Sequence, residues 1–207
     1  MRRISFLLVL VALPLIASAC KEKPATPVRT APLGPAPDSF RVAFTTSRGN
    51  VVVDVTRAWA PKGVDRFYDL VADGFFDENR FFRVLPKFIA QFGVNNDRKI
   101  NETWEAKPLS DDPVTQKNAR GTLVFASDGA NSRTHQLFFN LKGNTNLDKQ
   151  GFAPIGRVVE GMGVVDSLYS AYGESPNYHL IATLGNSYLQ RMFPKLDYIT
   201  TARIVSR

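Results

Sequence analysis

The chain has 207 residues, 22% of them charged and 44% hydrophobic, with a formal net charge of +7. This is an ordinary globular composition, long enough for one domain with a real core. Its lysines and arginines form no cluster interleaved with aromatics, which argues against nucleic acid as a partner, and its single cysteine excludes an intramolecular disulfide.

Met1-Arg2-Arg3, an apolar run from Ile4 to Ile16 and the small residues Ala17-Ser18-Ala19 read as a secretory signal over residues 1–19. The apolar run is shorter than the roughly 20 residues that span a bilayer. Cys20 directly follows, which leaves two readings. One is a lipobox-like site, at which signal removal exposes a lipid-modified cysteine; the other is ordinary cleavage at Ala-x-Ala, leaving a free thiol. Ala17 stands where the lipobox pattern usually has leucine. Residues 20–38 carry Pro24, Pro27, Pro32, Pro35 and Pro37 without periodicity, an extended tether of the kind a lipid anchor needs. Without Arg2 and Arg3 the formal charge falls from +7 to +5.

The folded part is expected over residues 39–207. Phe40, Val42 and Phe44, then Val51, Val53 and Val55, alternate with polar residues around Ser47-Arg48-Gly49-Asn50, a β-hairpin pattern. Pro61 opens a helix to about Asp73, with Val64, Phe67, Tyr68 and Val71 on one face. Residues 95–118 have no clear period and read as a surface excursion. Strands are expected near 121–126, 136–141, 153–159 and 198–205, and a short helix over 161–169. A helical turn around Tyr188 to Met192 is stopped by Pro194. Many short strands with two good helices indicate a mainly β fold, for which a barrel would leave no exposed edge.

Between these elements lies the apolar stretch Phe81 to Gly93, carrying one cation and one amide, Arg83 and Gln91. Such an arginine either snorkels to the surface or faces a cleft where a ligand meets it. Most chemistries lack their residues. His135 and His179 are far apart, so no metal set is apparent and no cofactor is expected. A G-x-S-x-G elbow and a phosphate-binding glycine loop are both missing. Ser127, Asp128 and His135 are close in sequence, but a triad is a matter of geometry; His135 reads as a loop or rim residue. Asp111-Asp112 reads as a solvated pair. A cleft of aromatics, one arginine and several amides suits a reaction without acid–base or covalent steps. Rotation about an X–Pro bond, with its barrier of about 18–20 kcal/mol, is such a reaction.

Phe82 to Gln91 resembles the cyclophilin signature F-H-R-[VI]-[IL]-P-x-F-[MI]-x-Q-G-G-D. Gly121 to Ala126, Gly129 to Phe138, Leu147-Asp148 and Ile155 to Met162 resemble further motifs of that family, in the same order. The resemblance covers about Phe40 to Tyr169. It implies a closed eight-stranded antiparallel β-barrel capped by two α-helices, with peptidyl-prolyl cis-trans isomerase activity. Carried over by position, Arg83 is the catalytic arginine, and Gln91 orients it and contacts the substrate carbonyl. Phe88, Ile89, Phe138 and Leu147 form the proline pocket. Ala126, Ser127 and Gln136 line the groove for the preceding residues. Phe152 stands where a pocket histidine is common. Phe82, Phe92, Val94 and Asn146 also depart from the pattern, which puts the setting of Gln91 in question and implies weak cyclosporin binding. Residues 173–196 look like an insertion before the last strand. The expected protein is a monomer of the cell envelope or periplasm, held at the membrane through lipid on Cys20 or else secreted and soluble. It would act on proline-containing segments of exported proteins, as an isomerase or as a weakly catalytic peptide-binding module.

Overall fold

The alternation around Ser47 folds as its pattern dictates. In a computed structural model, which describes residues 32–205, β1 (Ser39–Thr46) and β2 (Gly49–Thr56) pair antiparallel in continuous register. Their inward valines, Val42, Val53 and Val55, are fully buried. α1 (Pro61–Ala72) follows with proline in its first turn and drives Val64, Phe67, Leu70 and Val71 into the same core. Its free N-terminal amides, Lys62 N and Gly63 N, donate to the carboxylate of Asp112 at 3.1 and 2.9 Å. Asp112 is buried and also accepts from Arg133 Nη2 at 3.0 Å, so it is a cap and ion-pair partner rather than half of a solvated pair.

The chain continues through β3 (Arg83–Leu85), β4 (Ile89–Phe92), α2 (Arg98–Glu105), β5 (Thr122–Phe125), β6 (Leu137–Asn140) and β7 (Pro154–Glu160). It ends in α3 (Met162–Asp166), α4 (Tyr178–Leu184), α5 (Asn186–Met192) and β8 (Ile199–Val205). The eight strands form one antiparallel sheet in the order β3-β4-β6-β5-β7-β2-β1-β8. The expected closed barrel is therefore a curled, open half-barrel with β3 and β8 at its edges. Residues before β3 touch those leading into β8 through one bridge, Arg80 with Tyr198, and through Phe81 N to Asp197 O and Ile199 N to Asn79 O. These contacts precede Arg83, where β3 starts, so the two edges meet at a corner, and among the described residues no ladder joins β3 to β8.

Five α-helices, not two, occur among the described residues. α2 lies inside the expected surface excursion; Asp97 Oδ1 caps it by accepting from Lys99 N, and it buries Asn101 and Trp104. Two buried positions in a short polar segment leave little periodic signal. α4 and α5 lie in the expected insertion. Ile181, Tyr188, Leu189 and Leu196 form a second small core there with Phe82 and Val94. Two of the departures from the cyclophilin pattern thus have a structural cause: they are the sheet's half of the insertion's packing.

Residues ahead of Ser39 also pack on the folded part. Leu33 N donates to Asp69 Oδ1 and Ala36 N to Asp65 Oδ1, each at 2.9 Å, so the end of the Pro-rich segment lies along α1. The signal, Cys20 and most of the tether lie outside the described residues. Among the described residues, no helix is long and apolar enough to cross a membrane.

Candidate active site

The site lies on the outward face of the sheet, and strand alternation decides which side chains reach it. Along β3 and β4, Val84, Ala90 and Phe92 enter the main core, whereas Ile89 belongs to a separate apolar cluster and Arg83 and Gln91 are half-buried. Phe92 packs against Phe44, Phe76, Phe81 and Phe139 with ring centroids 5.4–5.9 Å apart. Its bulk is therefore spent on the core and leaves Gln91 undisturbed. Between the strands Lys87 takes a left-handed conformation (φ 60°). The carbonyl of Phe88 accepts from Leu141 N at 2.9 Å and Asn144 Nδ2 at 3.0 Å, which fixes the turn carrying its ring.

Arg83 and Gln91 face each other in register. Arg83 Nη1 donates to Gln91 Oε1 at 3.2 Å, and Gln91 Nε2 donates to Gln136 Oε1 at 2.9 Å. The guanidinium lies 6.0 Å from the centroid of the Phe88 ring. Its Nε and Nη2 both donate to Glu174 Oε1.

Beside this polar row is an apolar floor of Ile89, Val124, Phe138 and Leu147, all buried, with Phe88, Ala126 and Phe152 packed around it. Phe152 meets Phe138 edge-on at 5.9 Å. Its loop is held from below by Asn118, whose Nδ2 donates to Phe152 O and to Asp148 Oδ1, each at 2.8 Å. At the other end Ala126 N donates to Gln136 O at 2.9 Å, and Ser127 Oγ to Gly129 O at 2.6 Å.

All ten residues singled out in the sequence for catalysis or peptide contact, Arg83, Phe88, Ile89, Gln91, Ala126, Ser127, Gln136, Phe138, Leu147 and Phe152, line one cavity of about 540 Å³. Sequence reasoning missed Phe82, Asp128, Gln150, Glu174, Pro176 and Tyr178, which line it too. Glu174, Pro176 and Tyr178 arrive from the insertion, and no local pattern points from there to Arg83. Val124 falls in an expected strand, and its place in the floor is legible only through the sheet's phase.

His135 does not belong to the cavity lining and is not a rim residue. It is fully buried, with Nδ1 2.6 Å from Gly93 O, its ring beside Phe75 and Nε2 3.6 Å from Glu105 Oε1. Glu105 also accepts from the Tyr178 hydroxyl. The His135 imidazole foremost, and then the Tyr178 hydroxyl, hold the Glu105 carboxyl below its ordinary range against the opposing effect of burial. Burial and the Glu105 carboxylate push the Tyr178 phenol well above its ordinary value. Among the described residues, no group of three or more His, Cys, Asp or Glu is gathered as for a metal ion.

Residues 41–183 match the family model described as cyclophilin type peptidyl-prolyl cis-trans isomerase/CLD. The chain belongs to this family. It is 35% identical to peptidyl-prolyl cis-trans isomerase A of Dickeya dadantii over 144 residues, covering 66% of this chain and 75% of that one. Peptidyl-prolyl cis-trans isomerase B of Escherichia coli is 30% identical over 174 residues, covering 80% and 99%. In fold the chain is similar to a cyclophilin type isomerase from Cryptosporidium parvum, with a TM-score of 0.61 and 19% identity over 82% of this chain and 99% of that one. The cyclophilin match runs from β1 into α4, so α5 lies outside it.

Proposed function

We propose that the protein is a peptidyl-prolyl cis-trans isomerase whose cavity grips the ring of a substrate proline, with Arg83 acting on the adjoining amide. The observation that carries this reading is the row Arg83–Gln91–Gln136 standing beside the Ile89–Phe138–Leu147 floor. Turning the X–Pro bond removes its conjugation and leaves a lone pair on nitrogen. A guanidinium aimed at that nitrogen favours the twisted amide over the planar one, and only such differential binding lowers the barrier. Because Arg83 is permanently charged, no proton moves. Gln91 accepts from Arg83 and so sets its aim, while Gln136 fixes Gln91 in turn. Phe152 closes the pocket edge-on to Phe138, and Ala126 and Ser127 continue the groove toward the residues preceding proline.

A protease-coupled assay on an Ala-Pro peptide tests this. Catalysis above the spontaneous rate is expected, and a wild-type protein indistinguishable from the spontaneous rate would remove the isomerase reading. One observation favours the runner-up, a binding module that turns peptides over poorly: Glu174 already occupies two donors of Arg83. Peptide binding at ordinary affinity without acceleration is the outcome that would select it.

The work of the protein belongs, on this reading, to folding of exported polypeptides at the cell envelope, with lipid on Cys20 as the anchor and the chain acting as a monomer. The support is the leader and the Pro-rich segment in the sequence. Labelled fatty acid should appear on the wild type and vanish in Cys20→Ala; an unlabelled wild type leaves the soluble secreted form.

A further inference from the structure

The segment between α3 and α4 runs along the mouth of the cavity. It is pinned on both sides: the Tyr172 ring packs against Tyr169 and Phe193 at 4.9 and 5.1 Å, Asn177 N donates to the Tyr188 hydroxyl, and Tyr178 donates to Glu105. Glu174 therefore hangs from a fixed backbone, and its side chain is 62% exposed. Its carboxylate rests on Nε and Nη2 of Arg83. Among the described residues lining the cavity are one cation, Arg83, and two carboxylates, Asp128 and Glu174. The groove is thus acidic on a chain of net charge +7, which composition alone would not produce.

We propose that Glu174 is a specificity-determining residue that selects prolyl segments carrying a lysine or arginine within two positions of the proline. This rests on the cavity being the groove for such segments. When a substrate carbonyl or imide nitrogen takes the donors of Arg83, the Glu174 carboxylate loses its partner and remains beside the bound peptide. A cationic side chain of the substrate replaces that partner. A neutral substrate leaves the broken pair uncompensated, and an acidic one adds like-charge repulsion. For an exposed pair the discrimination is modest, about three- to tenfold between lysine and glutamate.

The test uses alanine-based peptides containing one proline, with Lys, Gln or Glu placed two positions before, directly before or directly after it. Turnover is read by exchange NMR, which avoids the charge preferences of a coupling protease, and binding is read by titration. In wild type the lysine peptide should lead the glutamate peptide about three- to tenfold at one position or more, and the gap should shrink in 1 M salt, where the Debye length is roughly 3 Å. Glu174→Gln, which keeps the side chain's shape, should bring the ratio below about twofold. An unchanged ratio in Glu174→Gln overturns the proposal, and so does a ratio lost in Asp128→Asn but retained in Glu174→Gln. Absence of turnover in wild type counts against the isomerase reading alone, because the ratio of dissociation constants on the same peptides still supports or overturns the role of Glu174.

Discussion

Replacing Arg83 by alanine separates catalysis from folding more sharply than any other single change. The Arg83 side chain is 29% exposed, so its field is partly screened. Loss of one preorganised donor commonly costs about 2.7–4 kcal/mol, and screening puts this case at or below the lower end, about 2–3 kcal/mol. That corresponds to a fall of roughly 30- to 160-fold in kcat/KM. Stability should hardly change, because no partner is stranded in the interior. Gln91 keeps its bond to Gln136, and Glu174, 62% exposed, returns to water. The cost to folding is below about 1 kcal/mol, or a Tm shift of no more than about 4 °C for a chain of this size. Arg83→Lys restores the charge without the planar fork and should recover only part of the activity. The measurement is kcat/KM on an Ala-Pro peptide beside a thermal melt for each variant. A folded Arg83→Ala protein retaining more than about a third of wild-type kcat/KM would refute the role assigned to the guanidinium.

Three other outcomes follow from the packing. Leu189→Ala hollows the small core that joins the insertion to Phe82 and Val94, and should cost about 2–4 kcal/mol; hydrogen exchange should accelerate in α4 and α5 well before it does in β1 and β2. Asp112→Ala strips the buried Arg133 of its closest carboxylate and α1 of its cap. Asp111, 3.6 Å from Arg133 Nε, takes up part of the loss, so about 3 kcal/mol is expected in denaturant unfolding, and a change under about 0.5 kcal/mol would contradict the assigned pair. The Glu105 carboxyl is depressed in the folded state, so its contribution is fully present above the ordinary carboxylate pKa and is lost as pH falls through the lower, folded value. Limited proteolysis of the insertion should therefore rise as pH is lowered below about 4.5, and Glu105→Gln should already show that susceptibility at neutral pH.

The sequence alone determined the local elements and the chemistry of the groove. Period-two alternation marked the first hairpin, Pro61 and its apolar face marked α1, and the order of short motifs carried the family and the ten cavity residues. Each is written within a few consecutive residues, because alternation and helical spacing are local. What only tertiary structure decided is how distant segments meet. The two edges of the half-barrel meet at a corner, where the chain ahead of β3 touches residues around the start of β8. His135 is a core residue because Gly93 and Glu105 receive it, and Asp112 is a cap because α1 begins beside it. Phe82 and Val94 looked like departures from a pattern until two helices more than eighty residues later came to cover them. The carboxylate of Glu174 reaches Arg83 for the same reason, across a separation of 91 residues that no periodicity spans.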